Sequence, residues 1–110
     1  PQWASITKQE ATRNYGGQVI LHGESISESL GLAQEMAKNG KTLIHPFDDR
    51  QIIAGQGTVG LEIVEALPDV DMVIGPVGGG GLLSGIAIAV KSLCPAARII
   101  GKSPGPIRLC

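Results

Sequence analysis

Four consecutive glycines at residues 78–81 stand between two apolar stretches, and this feature constrains the chain most. Residues 72–77 (MVIGPV) are typical of a buried strand, and residues 82–93 have the length and apolar character of a helix. The first amides of a helix have no partner within it and carry the positive end of its dipole. Glycines there let an anion approach closely. We predict a phosphate site. The alternative is a flexible connector, although four glycines exceed what a tight turn needs and are entropically costly to order.

The spacing of the glycines restricts which phosphate compound fits this loop. A dinucleotide-binding loop needs glycines at i, i+2 and i+5, but the third position here is Leu83 or Ser84, depending on the starting glycine. The Gly-Lys pairs at residues 40–41 and 101–102 lack the glycine that a nucleoside-triphosphate loop carries five positions earlier. A single phosphate monoester held by backbone amides therefore fits better than either.

The rest of the chain predicts alternating helices and strands. Apolar periodicity, glycines and capping residues predict four helices, at residues 5–15, 25–39, 50–67 and 82–93. They also predict four strands, at residues 18–22, 42–45 and 72–77 and from residue 98. Such alternation is typical of an α/β fold with parallel strands joined by helical crossovers. Thr7 with Glu10, and Ser25 with Glu28, have capping-box spacing, and Gly40 stands where a left-handed helix cap is expected.

Three segments interrupt this regular pattern. Residues 46–49 (PFDD) form a turn-rich break, where we place a domain boundary. Gly55 and Gly57 lie inside a predicted helix and could split it. Each costs about 1 kcal/mol relative to alanine, so we expect a neighbour that requires a small residue. The tail at residues 102–110 contains two prolines and no periodicity, and we expect it to be irregular.

Composition excludes several classes of protein. Nine basic and ten acidic side chains give a net charge of −1 with no basic cluster, which argues against a nucleic-acid partner. The longest strongly apolar stretch, residues 86–90, is too short to span a membrane, and no leader opens the chain. Two cysteines without a pattern indicate neither a disulfide framework nor a zinc site, so we expect a cytoplasmic protein.

Few side chains are candidates for chemistry. His22 and His45 each end a predicted strand and are expected to be packing or surface residues, since neither has an evident acid–base partner. Asp48 and Asp49 are expected to cap a turn rather than to bind a metal. We therefore assign no catalytic residue and no metal site.

Several motifs together resemble one enzyme family. They are residues 53–58 (IAGQGT), Glu62, residues 76–82 (PVGGGGL) and residues 85–87 (GIA), together with Lys8, Ala11, Tyr15-Gly16, Val19 and His22-Gly23 nearer the start. From about residue 4 to residue 101 the chain resembles the threonine dehydratases (threonine ammonia-lyases), most closely the catabolic type. These are fold type II enzymes, which share the tryptophan synthase β-like fold and use pyridoxal 5′-phosphate.

The resemblance implies roles for particular residues and segments. It implies that backbone amides of the loop bind the cofactor phosphate, namely those of Gly78, Gly79, Gly80, Gly81 and Leu82. It implies that residues 1–46 are the second half of the small domain and residues 47–101 part of the large, cofactor-binding domain. Residues 102–110 are unlike the family.

The resemblance also identifies what this sequence lacks. The family's cofactor lysine lies in a Ser-Phe-Lys-type motif upstream, and none of the lysines here stands in such a motif. Without a Schiff-base lysine, the chain alone is expected to be inactive. It resembles an internal fragment, about a third of a subunit. The parent would be a cytoplasmic homo-oligomer that converts L-threonine to 2-oxobutanoate and ammonia, and would also act on L-serine.

Two alternatives remain open from the sequence. One is another fold type II enzyme, such as serine racemase or a β-replacing synthase. The other is a non-catalytic phosphate-binding module that uses the helix start without the chemistry. An upstream Ser-x-Lys motif in the same reading frame would favour an enzyme, and its absence would favour the module.

Overall fold

The computed structural model describes residues 1–103 and 108–109, and the chain divides into two compact units, Pro1–Leu43 and Ile44–Cys110. The first unit contains two helices, α1 (Ile6–Asn14) and α2 (Ile26–Lys38), close to the predicted bounds. Neither helix contains a buried residue. This unit therefore has little hydrophobic core of its own.

Helix ends in the first unit follow local side-chain chemistry. The Ser25 hydroxyl accepts a hydrogen bond from the Glu28 amide at 3.2 Å, and the Glu28 carboxylate accepts one from the Glu24 amide at 3.0 Å. The predicted cap at Ser25 is thus confirmed. The cap predicted at Thr7 is wrong, because α1 begins at Ile6 and Thr7 already lies within its first turn. Gly40 follows α2 with a φ of +90°, as predicted.

The two strands predicted at residues 18–22 and 42–45 are wrong. Both segments are irregular, and neither belongs to a sheet in the described part of the chain. A strand exists only when a second strand satisfies its backbone groups, and these segments find no such partner here. Four of their five apolar residues are exposed, with Ile20 at 49% and Ile44 at 74% relative exposure, and the fifth, Val19, is half-buried.

The second unit is built on a strand–helix–strand crossover. It contains α3 (Arg50–Ala66), β1 (Met72–Pro76), α4 (Gly81–Leu93), β2 (Arg98–Lys102) and β3 (Arg108–Leu109), and the strands are ordered β1-β2-β3. β1 and β2 are parallel, with Met72 opposite Arg98 and Pro76 opposite Lys102. The predicted α/β class is confirmed.

The tail prediction is wrong at three residues. Lys102 ends β2, because the register of β1 extends its pairing to that residue, and Arg108 and Leu109 form β3 antiparallel to β2. The tail residues 104–107 and 110 lie outside the described residues, so the prediction for them is not tested.

The core lies between the sheet and α4. Five apolar residues from α4, β2 and the turn between them are buried, namely Leu83, Ile86, Val90, Ala97 and Ile99. Val73 packs against this cluster, whereas the next residue on β1, Ile74, points to the opposite face and is 65% exposed.

Among the described helices, none has the length and hydropathy that a membrane crossing requires.

Glycines set how closely α3 and α4 approach. Helix α3 is continuous through Gly55 and Gly57. A Cβ atom added to Gly57 would lie 3.3 Å from the Gly85 carbonyl oxygen, and one added to Gly60 would lie 2.8 Å from the Ala89 Cβ. The expected requirement for a small residue is confirmed at Gly57. It is wrong at Gly55, where a Cβ would meet nothing within 4 Å.

Asp49 caps the start of α3, as the sequence predicts for this turn. One Asp49 carboxylate oxygen accepts hydrogen bonds from the amides of Gln51 at 2.8 Å and Ile52 at 3.2 Å. We expect Asp49→Ala to lower the free energy of unfolding by about 1 kcal/mol, because two helix-start amides lose their acceptor. Urea unfolding followed by circular dichroism measures this, with Asp48→Ala as the control. Equal effects of the two substitutions would contradict the cap.

Candidate functional site: a glycine loop at a helix start

The glycine loop connects the end of β1 to the start of α4. Gly80 precedes the helix with a φ of +90°, a backbone conformation that other residues adopt only with strain, and Gly81 is the first helical residue. The helix thus begins one residue earlier than predicted. The left-handed turn at Gly80 makes the abrupt change from strand direction to helix direction possible.

Consecutive amides in this loop have no acceptor among the residues that the structure describes. On one side of the loop, the Val77 amide donates to the Lys102 carbonyl oxygen at 2.9 Å, and on the other the Ser84 amide donates to Gly80 at 2.9 Å. Between them, in the described part of the chain, no acceptor is found for the amides of residues 78–82. Backbone N–H groups are strong donors, so this stretch is suited to bind an anion.

The loop lines an open cavity of about 330 Å³. Gly78 and Gly79 are exposed, whereas Gly81 is buried. A Cβ atom added to Gly78 or Gly80 would meet nothing within 4 Å. The remaining lining comes from the end of β1, the start of α4, the segment before α3 and α3 itself, namely Pro76, Gly81, Leu82, Pro46, Phe47, Ile52 and Gln56.

Phe47 forms one wall of this cavity, next to the loop. A Cβ atom added to Gly79 would lie 2.3 Å from the Phe47 ring, and one added to Gly81 would lie 2.7 Å from the Phe47 carbonyl oxygen. Glycine is therefore required at both positions, because the aromatic ring and main chain of Phe47 occupy the space that a side chain would fill.

His45 holds the turn that carries Phe47. Its Nδ1 atom accepts hydrogen bonds from the Asp48 amide at 2.8 Å and the Phe47 amide at 3.4 Å. The His45 and Phe47 rings meet edge to face, with centroids 4.9 Å apart and an interplanar angle of 82°. In both hydrogen bonds the ring nitrogen is the acceptor for a backbone amide.

The other candidate side chains lie apart from the cavity lining. His22 is exposed in the first unit, and Glu62 is exposed on α3. Cys94 is half-buried, and its thiol donates to the Pro68 carbonyl oxygen at 3.4 Å. No group of metal-binding side chains occurs among residues 1–103 and 108–109.

A second, larger groove of about 410 Å³ lies along α3 and α4 but has a different chemistry. Apolar and small residues form its lining, with Arg50 as the one charged contributor. It does not contain the α4 start, so it does not compete with the loop as a phosphate site.

Sequence reasoning did not identify the residues that complete the cavity from the α3 side. Phe47 and Gln56 are more than 20 residues away from the loop along the chain. No local pattern links them to it, and only the packing of α3 against α4 brings them there. The only sequence feature that points to Phe47 is the glycine at position 79, because a residue without a side chain allows another part of the protein to lie close to it.

Comparison with known proteins places these features in one family. A family model described as pyridoxal-phosphate-dependent enzyme matches residues 1–108. The catabolic L-threonine dehydratase TdcB of Staphylococcus aureus strain N315 is 52% identical over 102 residues, which are 92% of this chain and 30% of that protein. The chain thus spans under a third of the length of this curated relative.

Solved structures are also similar to this chain. The processed form of threonine deaminase isoform 2 from Solanum lycopersicum matches with a TM-score of 0.82 and 43% identity, covering 94% of this chain and 29% of that one. Maize serine racemase matches with a TM-score of 0.82 and 39% identity, covering 92% and 31%. The chain belongs to the family of pyridoxal-phosphate-dependent enzymes and has their type II fold.

Proposed function

We propose that the amides of Gly78, Gly79, Gly80, Gly81 and Leu82 bind the phosphate of pyridoxal 5′-phosphate. The observation that carries this proposal is a run of amides at the start of α4 that line a cavity and have no acceptor within residues 1–103 and 108–109. Membership of a pyridoxal-phosphate-dependent family supplies the ligand.

The residues present fit a phosphate dianion. The positive end of the α4 dipole favours a negative charge at this point. A Cβ atom added to Gly78 or Gly80 would meet no described atom within 4 Å other than those of its chain neighbours, which leaves room for a phosphate oxygen to approach the main chain there. Phe47 lines the same cavity, and its ring occupies the space next to Gly79, which restricts the phosphate to the part of the cavity next to Gly78 and Gly80.

We further propose that the protein containing this chain dehydrates L-threonine, and also L-serine, to a 2-oxo acid and ammonia. The 52% identity with a catabolic L-threonine dehydratase supports this. Bound pyridoxal phosphate supplies an electron sink for the amino acid's α-carbon, which allows the β-hydroxyl to leave. This chain's own part is to hold the phosphate and thereby orient the cofactor.

Domain roles follow from the same proposal. Residues 1–46 would be the second half of a small domain, and residues 47–101 part of the large, cofactor-binding domain. Residues 102–110 would be a tail unlike the family. Exposed apolar side chains on α1 and near residue 20, such as Ile6 and Ile20, support a setting in which further protein covers them. We propose that the whole protein is a cytoplasmic homo-oligomer. The two cysteines of this chain form no disulfide or zinc-site pattern, which is consistent with a reducing compartment.

Serine racemase is the second candidate. Maize serine racemase is 39% identical to this chain and has the same TM-score as the threonine deaminase, and this similarity supports racemase activity as the alternative. The two activities differ in product. A racemase yields D-serine from L-serine, whereas a dehydratase releases ammonia from L-threonine.

A segment exchange tests the proposed function. In a chimaeric enzyme, the 102 matched residues of the Staphylococcus aureus dehydratase are replaced by those of this chain. We expect this chimaeric enzyme to bind pyridoxal phosphate and to release ammonia from L-threonine. We expect the 110-residue chain alone to release none, because none of its lysines stands in a Ser-Phe-Lys-type motif.

Three measurements distinguish a dehydratase from a racemase and test the phosphate site. Ammonia and D-serine are measured for both proteins, and equilibrium dialysis measures cofactor binding by the chimaeric enzyme. A folded chimaeric enzyme that binds no pyridoxal phosphate would overturn the phosphate proposal. D-serine without ammonia from L-threonine would favour the racemase, and ammonia release by the isolated chain would refute its predicted inactivity.

A further inference from the structure

His45 occupies the position of a turn-forming residue. Its Nδ1 accepts from the amides two and three residues ahead, those of Phe47 and Asp48. Aspartate and asparagine side chains commonly make such bonds to the backbone ahead of them. Here an imidazole nitrogen makes them and fixes the turn at residues 46–48.

The turn sets where Phe47 lies. The His45 ring packs against the Phe47 ring, so both the main chain and the side chain of Phe47 are restrained by the same residue. Phe47 is half-buried, and its other neighbours include Gly79 and Gly81 of the loop.

Contacts therefore run without a break from His45 to the loop. The Phe47 ring lies against Gly79, and its carbonyl oxygen and Cα lie against Gly81, as close as a glycine permits. A displacement of Phe47 would free the loop to turn its amides away from the cavity, since glycine has wide backbone freedom.

We propose that His45 is a positioning residue of the phosphate loop. Its Nδ1 acceptor holds the turn at residues 46–48, and this turn places Phe47 against Gly79 and Gly81 so that the amides of residues 78–82 stay directed at the phosphate. The inference rests on the proposed function of the loop, and it adds a residue that contacts neither phosphate nor substrate.

Acceptor and non-acceptor substitutions in the chimaeric enzyme test this role. His45→Leu removes the acceptor, whereas His45→Asn keeps an oxygen that can accept from the same amides. His45→Ala is a second, smaller non-acceptor variant in case the leucine disturbs folding. His22→Leu is the matched control, because His22 is exposed and lies in the other unit.

We expect His45→Leu and His45→Ala to raise the Kd for pyridoxal phosphate about twofold to tenfold, the range for one hydrogen bond, because the Asp48 amide loses a close acceptor at 2.8 Å and the Phe47 amide loses only a distant one at 3.4 Å. At saturating cofactor, kcat should stay within about twofold of the unsubstituted value, because no group at the reacting atoms has changed. His45→Asn should recover most of the affinity, and His22→Leu should leave Kd unchanged.

The outcomes distinguish this inference from the proposed function. If the unsubstituted chimaeric enzyme folds but binds no pyridoxal phosphate, the proposed function fails and this inference with it. If it binds the cofactor and the two non-acceptor variants bind it equally well, only the role of His45 is overturned. Equal losses in His45→Asn and His45→Leu, or a loss confined to kcat, would also overturn that role.

Discussion

Replacing Gly85 with alanine is expected to cost about 3 kcal/mol of unfolding free energy, because overpacking at a helix crossing forces the two helices apart. A Cβ atom at this position would lie 2.4 Å from the Ile53 carbonyl oxygen and 2.6 Å from the Gly57 amide nitrogen. Both are backbone atoms, so no side-chain rotation relieves the contact. The change should appear as a large fall in the urea midpoint of the helical circular dichroism signal.

Gly55→Ala is the matched control for this substitution. Gly55 lies on α3, and an added Cβ would meet nothing within 4 Å. Alanine there should raise stability by up to about 1 kcal/mol through its higher helix propensity. The close approach of α3 and α4 would be contradicted if Gly85→Ala unfolded at the same urea concentration as Gly55→Ala.

Replacing Gly80 with alanine is expected to weaken pyridoxal phosphate binding by the chimaeric enzyme about tenfold to a hundredfold, the range for one lost hydrogen bond to a charged group. The φ of +90° at Gly80 is strained for alanine, and relaxing this strain turns the neighbouring amides of Gly79 and Gly81 away from the phosphate.

Gly40→Ala controls for backbone strain alone. Gly40 also has a φ of +90° and open space around it, but it follows α2 in the other unit. Its substitution should lower stability without changing cofactor affinity. Pyridoxal, which lacks the phosphate, provides a second control, and Gly80→Ala should leave its Kd within about twofold. Equal losses for pyridoxal and pyridoxal phosphate would show that the loop does not act on the phosphate.

Elements with strong local signals could be predicted from the sequence. The glycine run, the apolar strand before it and the apolar helix after it predicted β1, α4 and the loop between them, and the helix predicted from Arg50 is α3. These features depend on neighbours within a few residues. The family was also identified from motifs within residues 53–87.

Features that depend on distant partners could not be predicted. Residues 18–22 have the composition of a strand, but a strand also needs a second strand beside it, which the described residues do not provide. The contact between Phe47 and Gly79 joins segments 32 residues apart and follows from the α3–α4 crossing. Tertiary packing, rather than local propensity, decided both.

The position of the phosphate is the most direct measure of the central claim. A crystal structure of the chimaeric enzyme with pyridoxal phosphate bound should show phosphate oxygens within about 3 Å of several amide nitrogens of residues 78–82, the distance of an N–H···O bond. A phosphate held at another part of the protein, with these amides turned away from it, would contradict the account.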